Sequence, residues 1–183
     1  MIINATPFAG LFEIQQTAFK DGRGHFTRLF CQQELSKIRE NIHFVQINFS
    51  HTLLKGSLRG MHCQESPAAE AKLVRCLSGT VLDVVVDIRE KSPTFLKYYA
   101  VELSADNDRA IFIPEGFAHG FQALTDDASL LYMHTEFWSP NQEFGIRYDD
   151  PRISIDWPLS ITHCSERDLQ HPFLDAKFTG LKQ

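Results

Sequence analysis

The chain has 183 residues, of which 43% are hydrophobic and 22% are charged, and its formal net charge is -5. A domain of this length buries enough surface to fold without disulfides, and this composition is typical of a soluble globular protein. The negative charge argues against general nucleic-acid binding, which needs a basic face. We expect one domain over residues 1–183 and no nucleic-acid partner.

The sequence predicts neither a membrane span nor a cysteine framework. Acidic residues interrupt the longest apolar runs, which are far shorter than the ~20 residues that cross a bilayer. The first residues lack the basic and apolar regions of a secretion signal. The cysteines show no C-x-x-C pair and lie at Cys31, Cys63, Cys76 and Cys164. We therefore expect a cytoplasmic protein with reduced thiols.

Most of the chain has the pattern of short strands separated by turn signals. In chain order we predict a strand at 25–30, a helix at 32–40, and strands at 43–51, 57–63, 71–77, 81–88, 95–103, 110–113, 117–124 and 128–138. Many short strands at this spacing, with one convincing helix, favour an all-β jelly roll or barrel.

The strand at 43–51 carries polar residues on one face. Side chains alternate along a strand, so Gln46, Asn48 and Ser50 share a face and the apolar residues between them share the other. If the polar face points into a barrel, its amides and hydroxyl would line a ligand cavity. In the strand at 57–63, the directions of the ionisable side chains depend on one glycine, Gly60.

In that strand, Arg59 and His62 have opposite parity, so an ideal strand would direct their side chains to opposite faces. They can reach one pocket only if Gly60 marks a bulge or a sharp twist, since glycine often marks such a position. A bulge at Gly60 is therefore a prediction that the structure can test.

Ionisable residues lie within these apolar strands, where burial is costly unless they are paired or used. His62 could be a general base, a structural histidine or a metal ligand, but Gln64 stands where metal-binding double-stranded β-helix proteins usually have a second histidine. Lys72 could be functional or lie at an exposed edge, and Tyr132 could be an acid or only pack. Together they favour an enzyme that transfers protons.

Other residues also have both a structural and a functional interpretation. Asp168 follows Ser165 by three residues, so it could belong to a helix cap. Arg23 could lie in a simple charged turn, but Arg23 and Arg59 together suit a diphosphate, because guanidinium groups bind phosphate oxygens in pairs. Three further residues could contact a substrate or belong to the core: Phe26, His119 and Trp138.

Several motifs, in this order, resemble the dTDP-4-dehydrorhamnose 3,5-epimerase family over nearly the whole chain. They are FKDGRGHF at 19–26, VQINFS at 45–50, GSLRGMHCQ at 56–64, KLVRCLSGTVLDVVVDIREKSPTF at 72–95, IPEGFAHGF at 113–121, YDDPRISIDWP at 148–158 and SERD at 165–168. The resemblance implies an all-β, cupin-like jelly-roll β-sandwich (a double-stranded β-helix) with short peripheral helices. It also implies a homodimer that exchanges strands, and epimerisation without a metal or another cofactor.

The resemblance further implies a role for each matching residue. His62 would be the catalytic base, Asp168 its orienting partner, and Tyr132 the acid on the opposite face of the sugar. Lys72 would lie near the C4 keto oxygen and stabilise an enolate. The positions that would hold the sugar nucleotide are Arg23, Phe26, Arg28, Gln46, Asn48, Arg59, His119, Trp138, Glu143 and Arg167.

The implied reaction converts dTDP-4-dehydro-6-deoxy-D-glucose to dTDP-4-dehydro-L-rhamnose by inversion at C3 and C5. The alternatives are a single-centre 3- or 5-epimerase of a dTDP-, CDP- or GDP-linked 4-keto sugar, a metal-dependent cupin, and a non-catalytic sugar-nucleotide binding protein. Four positions depart from the family's usual residues, which are glutamate, tyrosine, tyrosine and lysine at Arg28, Cys63, Trp138 and Arg167, respectively. The charge reversal at Arg28 bears most on the identity of the nucleotide.

Overall fold

The computed structural model describes residues 1–182 and contains two packed β-sheets and a separate hairpin. Its strands are β1 (Ile2–Ala5), β2 (Phe12–Gln15), β3 (Ala18–Asp21), β4 (Gly24–Thr27), β5 (Gln46–Thr52), β6 (Leu58–Gln64), β7 (Lys72–Ser78), β8 (Thr80–Asp87), β9 (Tyr98–Ser104), β10 (Arg109–Ile113), β11 (Phe117–Ala123), β12 (Ala128–His134) and β13 (Glu143–Gly145). The helices are α1 (Gln32–Leu35) and α2 (Glu166–Gln170), with a 3₁₀ turn at Pro140–Gln142. No helix in this range is long and apolar enough to cross a membrane.

The two sheets form an antiparallel sandwich. The six-stranded sheet has the order β1-β2-β10-β7-β12-β5, and the five-stranded sheet has the order β13-β6-β11-β8-β9. Among the described strands, β3 and β4 pair only with each other. The predicted all-β sandwich with short helices is therefore confirmed.

Alternating apolar side chains fill the space between the sheets. Val74 of β7 and Leu130 of β12 project from one sheet, and Val85 of β8 and Phe121 of β11 project from the other. The same alternation directs polar residues of these strands into this space near one end of the sandwich. The outer faces are covered by residues 35–44 on the six-stranded sheet and by residues 146–181 on the five-stranded sheet.

Some predicted elements differ from those observed. The predicted helix 32–40 was too long, because the α-helix ends at Leu35 and the chain then turns so that Leu35 and Ile42 both cover the outer sheet face. The predicted strand 128–138 ends at His134. The predicted strand 25–30 is the shorter β4, the second arm of a hairpin. Five observed elements were not predicted: β1, β2, β3, β13 and α2.

The bulge predicted at Gly60 is present. Between β6 and β11, His62 pairs with His119 and Arg59 pairs with Phe121, so β6 has one extra residue in this interval. Gly60 has a φ of 129°, and a Cβ there would lie 2.5 Å from the Gly120 Cα. Only glycine suits both constraints, and the bulge lets Arg59 and His62 line one cavity.

Candidate active site

A cavity of about 840 Å³ opens between the two sheets at one end of the sandwich. It is lined by β5, β7 and β12 of one sheet, by β6 and β11 of the other, and by the start of α2. Ten of the residues predicted to form the site line it: Asn48, Arg59, His62, Lys72, His119, Tyr132, Trp138, Glu143, Arg167 and Asp168. Of the polar face predicted for β5, Asn48 and Ser50 line the cavity, whereas Gln46 does not.

His62 and Asp168 form a hydrogen-bonded pair. Nε2 of His62 lies 2.8 Å from Oδ1 of Asp168, and Oδ2 of Asp168 accepts a hydrogen bond from the Gly60 amide at 3.1 Å. Burial alone would raise the pKa of Asp168, but these hydrogen bonds and the charge interaction with His62 hold it well below its usual range. The carboxylate therefore fixes the orientation of the ring and of the bulge together.

The helix cap considered for residues 165–168 is made by Ser165, whose Oγ accepts a hydrogen bond from the Asp168 amide at 3.1 Å. The side chain of Asp168 is only 3% exposed and turns away from the cap, toward His62. Capping and the pairing with His62 are therefore compatible at this position.

Arg167 and His171 surround the same pair. Nη2 of Arg167 is 3.1 Å from Nε2 of His62, and Nη1 of Arg167 pairs with Glu143 at 3.0 Å. Within the described part of the chain, the residues that could hold a metal are His62, Asp168 and His171, whose ligand atoms lie within 4.8 Å of one another. The Arg167 guanidinium lies against two of these three, so a metal ion would have to displace an existing cation.

Lys72 lies in a buried ionic network. Its Nζ is 3.1 Å from Oε1 of Glu70 and 3.5 Å from the His62 carbonyl oxygen. Oε2 of Glu70 also accepts from Nδ1 of His134 at 2.7 Å, and Nε2 of His134 is 3.2 Å from Nδ2 of Asn48. Lys72 is therefore not at an exposed edge; its ammonium group lies at the cavity wall beside the backbone of His62.

Tyr132 projects from the sheet opposite to His62. Its ring packs between the rings of His119 and His134, at centroid distances of 5.9 and 6.1 Å, and its hydroxyl accepts a long hydrogen bond of 3.5 Å from Ser50. Burial raises the pKa of Tyr132 above its usual value, so the phenol stays protonated at neutral pH and can donate a proton or hydrogen bond.

His119 pairs with a fully buried carboxylate, since its Nε2 lies 2.8 Å from Oδ2 of Asp83. Arg59 donates from Nε to Thr52 at 3.1 Å, and from Nη2 to the His51 carbonyl at 3.2 Å. These contacts hold a guanidinium at the cavity rim without any carboxylate partner among the described residues. An anionic group bound there would meet a cation with free donors.

Four predicted binding residues do not line the cavity within one chain. Arg23 and Phe26 lie on the β3–β4 hairpin, where the Arg23 side chain is 91% exposed and pairs with Asp21. Arg28 forms an ion pair with Glu34 of α1. Gln46 hydrogen-bonds to Asn48 and accepts from the backbone amide of Trp138, two residues that line the cavity; these distances are 3.3 and 3.1 Å.

Comparison with known proteins agrees with this geometry. A family model described as dTDP-4-dehydrorhamnose 3,5-epimerase matches residues 5–176. The chain belongs to this family. It is 42% identical to the dTDP-4-dehydrorhamnose 3,5-epimerase of Shigella flexneri, over 97% of this chain and 99% of that protein. As a member of this epimerase family, the chain is an isomerase with a cupin-like fold.

Two solved epimerase structures are informative relatives. The dTDP-6-deoxy-D-glucose-3,5-epimerase of Legionella pneumophila, in complex with dTDP-4-keto-L-rhamnose, is 39% identical with a TM-score of 0.91, over 100% of this chain and 98% of that one. ChmJ, a 3'-monoepimerase of Streptomyces bikiniensis in complex with dTDP-quinovose, is 31% identical with a TM-score of 0.87, over 92% of this chain and 86% of that one.

Four side chains of this epimerase site were not predicted from the sequence: Glu70, Asp83, His134 and His171. Three could have been found from strand parity. Glu70 is two residues before Lys72, His134 is two residues after Tyr132, and Asp83 shares the inner face of β8 with Val81 and Val85. A charged residue at such a position indicates a buried partner.

One departure from the family pattern leaves an inert group near the site. Cys63 is 4% exposed, and burial raises the pKa of its thiol to about 12. The thiolate is the reactive form of cysteine, so Cys63 supplies neither a nucleophile nor a base at neutral pH.

Proposed function

We propose that this enzyme converts dTDP-4-dehydro-6-deoxy-D-glucose to dTDP-4-dehydro-L-rhamnose by inverting C3 and C5. One observation carries the proposal: a histidine with its carboxylate partner and a protonated tyrosine enter one cavity from opposite sheets. Epimerisation needs a proton to leave one face of a carbon and another to arrive on the opposite face.

In the proposed mechanism, His62 removes the proton from a carbon next to the C4 ketone. Asp168 holds Nε2 of the ring, which leaves Nδ1 to accept that proton. The electron pair of the broken C–H bond moves to the keto oxygen, which becomes an enolate oxygen. The Lys72 ammonium at the cavity wall would stabilise this charge.

Tyr132 then protonates the same carbon from the opposite face, and the enolate returns to a ketone with inverted configuration. His62 loses its proton to solvent and Tyr132 regains one, so the cycle consumes no other reactant. Repetition at the second carbon that flanks the ketone gives the double epimer.

We further propose that positive side chains at the cavity rim bind the diphosphate. The described residues give Arg59 no carboxylate partner, and Arg167 is 56% exposed at the same cavity. Trp138, which is 61% exposed, would stack on the nucleobase. Asn48, His119 and Glu143 would hold the sugar.

Turnover with a panel of nucleotide sugars tests the substrate. The purified protein is incubated with dTDP- and CDP-linked 4-keto-6-deoxyglucose, and the products are identified by NMR. The proposal predicts the L-rhamno product from the dTDP sugar. Faster turnover of the CDP sugar would refute the choice of nucleotide, and the charge reversal at Arg28 makes this comparison necessary.

A single-centre 3-epimerase is the second candidate, because ChmJ, a 3'-monoepimerase, is 31% identical to this chain. The two candidates share the base and the acid and differ in how many centres react. The product spectrum separates them, since inversion at C3 alone leaves the C5 configuration of the substrate intact.

We also propose that the enzyme is a homodimer in which the β3–β4 hairpin of each protomer reaches the partner's site. The hairpin pairs with no other strand of residues 1–182, and Phe19 and Phe26 on it are each 71% exposed. Ile47 and Phe49 on the edge strand β5 are 61% and 63% exposed. A second copy that covers these apolar groups would also bring Arg23 to a substrate.

Complementation between two defective variants tests this exchange. One variant is Arg23→Ala with Phe26→Ala, and the other is His62→Ala. In a mixed dimer, one of the two sites combines an intact His62 with an intact partner hairpin. Because random pairing of equal amounts makes about half of the dimers mixed, co-refolding the two variants should restore about a quarter of the wild-type activity. Sedimentation as a monomer, or no gain on mixing, would refute the exchange.

A cytoplasmic location is proposed because Cys31, Cys63, Cys76 and Cys164 are all free thiols. We propose that residues 1–183 act as one domain, since both sheets contribute to one core and one cavity. Limited proteolysis should accordingly give no stable fragment that comprises one sheet alone.

A further inference from the structure

A buried, hydrogen-bonded pair of side chains beside Lys72 has no role in the mechanism proposed above. Glu70 precedes β7 and His134 ends β12, and Oε2 of the first is 2.7 Å from Nδ1 of the second. Their side chains are 8% and 10% exposed, and both line the cavity. Burying a carboxylate and an imidazole costs free energy. The contacts of this pair indicate which neighbouring side chains it orients.

Glu70 accepts hydrogen bonds from two donors at once. Oε1 is 3.1 Å from Nζ of Lys72, and Oε2 accepts from His134. Burial alone would raise the pKa of Glu70, but the hydrogen bond from His134 and the charge of Lys72 hold it below its usual range. A glutamine could not replace it, because its amide nitrogen would face one of the two donors.

This carboxylate also orients the catalytic lysine. An ammonium group has three donors. In Lys72 one points to Glu70 and a second lies 3.5 Å from the His62 carbonyl oxygen. One donor is left for the cavity, where the enolate oxygen would form.

His134 extends the network to β5. An ionised carboxylate only accepts hydrogen bonds, so the proton of His134 lies on Nδ1 and its Nε2 accepts from Nδ2 of Asn48 at 3.2 Å. Oδ1 of Asn48 accepts from Gln46 at 3.3 Å. Each acceptor in the series fixes the next donor, so Glu70 determines which way the Asn48 amide points.

We propose that Glu70 and His134 are positioning residues for the epimerisation: Glu70 orients Lys72 toward the enolate oxygen, and His134 orients the Asn48 amide toward the sugar. The inference rests on the proposed function, because it assigns a purpose to the neighbours of that same site. A pair that only stabilises the fold would leave kcat and KM of the folded enzyme unchanged when it is replaced.

The experiment uses Glu70→Gln, His134→Gln, Asn48→Ala and the double variant His134→Gln with Asn48→Ala. Glu70→Gln should lower kcat about tenfold or more, because Lys72 loses its orientation. His134→Gln should raise KM about tenfold while kcat stays within about threefold. In the Asn48→Ala background, His134→Gln should change KM less than about twofold, because the two residues act through one contact.

Glu115→Gln is the matched control, because it removes the carboxylate from a partly buried ion pair with Arg39 that does not line the cavity. It should leave kcat and KM unchanged. A folded Glu70→Gln enzyme with wild-type kcat and KM would overturn the positioning role, and so would independent effects of His134 and Asn48 in the double variant. If Glu70→Gln does not fold, the KM values of the His134 and Asn48 variants test the positioning role.

Wild-type turnover is measured first. An inactive wild type would count against the proposed function, whereas an active wild type with unaffected variants would count against the positioning role alone.

Discussion

Replacement of Asp168 by asparagine tests the pairing that orients the proposed base. The side chain is 3% exposed and accepts hydrogen bonds from His62 at 2.8 Å, from the Gly60 amide at 3.1 Å and, more weakly, from Nε of Arg167 at 3.4 Å. Asparagine can keep only one acceptor oxygen; if that oxygen stays on Gly60, its NH2 group faces Nε2 of His62. The ring must then present a lone pair there, which moves its proton to Nδ1, the atom that should act as the base.

The expected loss follows from this change of tautomer. Replacing the carboxylate that orients a catalytic histidine by an amide lowers kcat about 10⁴-fold in a serine protease, and we expect a loss approaching that order for Asp168→Asn. The variant should also lose about 1–3 kcal/mol of stability at pH 7, because a hydrogen bond to a charged group is removed. Turnover is followed by NMR, and stability by urea unfolding.

The pH dependence of stability gives a second readout. The pKa of Asp168 is lower in the folded protein than in the unfolded chain. Its contribution to stability is therefore fully present above the unfolded value of about 4 and is lost as the pH falls below it. Asp168→Asn should flatten this acid-dependent loss.

Asp150→Asn provides the control. Asp150 is 1% exposed and accepts hydrogen bonds from the Leu174 and Arg152 amides at 2.6 and 2.8 Å, away from the cavity. It should lower stability by a comparable amount and leave the kcat of the folded enzyme unchanged. A kcat for Asp168→Asn within about tenfold of wild type would refute the orienting role.

Three further predictions concern the same cavity. Tyr132→Phe should abolish inversion while still allowing solvent exchange on the face of His62, and inversion at a rate near that of the wild type would count against Tyr132 as the acid. Because burial raises the pKa of Tyr132, any alkaline decline in the rate of that solvent exchange between about pH 7 and 9 should persist in this variant. Arg59→Ala should weaken dTDP binding in calorimetry about 10- to 150-fold, as expected for one charged contact. Unchanged affinity would contradict the diphosphate site proposed at Arg59. Gly60→Ala should destabilise the fold by about 1–3 kcal/mol and lower kcat, since its Cβ would lie 2.5 Å from the Gly120 Cα; wild-type stability and activity would contradict the bulge geometry.

The central strands could be predicted because alternation and turn signals agree with their final environment. Strands β6 to β12 are buried on at least one face, and the apolar residues along them show this burial in the sequence. The edge elements could not be predicted in this way. Strand β1 (Ile2–Ala5) is mostly exposed, and β13 (Glu143–Gly145) is three residues long, so both exist because a neighbouring strand is available to pair with them.

The helix prediction failed for a related reason. The residues after Leu35 suit a helix locally, but a continuous helix would not bring Leu35 and Ile42 onto the sheet as the turn does. Tertiary packing therefore outweighed helix propensity.

The site residues were predicted mainly through the family resemblance, whereas strand parity identified the bulge and the polar face of β5. Parity also contained the information for Glu70 and His134, two residues from Lys72 and Tyr132 respectively. What the sequence could not supply is which of these groups hydrogen-bond, because strands β5, β7 and β12 become neighbours only in the folded sheet.

The most direct test of the proposed double epimerisation is NMR of the substrate turned over in deuterium oxide. Because His62 and Tyr132 exchange protons with solvent on opposite faces, we expect one deuterium at C3 and one at C5, both in the product with inverted configuration. Label and inversion at C3 alone would contradict double epimerisation. No label at either carbon, with the substrate demonstrably bound, would contradict the proton-transfer chemistry itself.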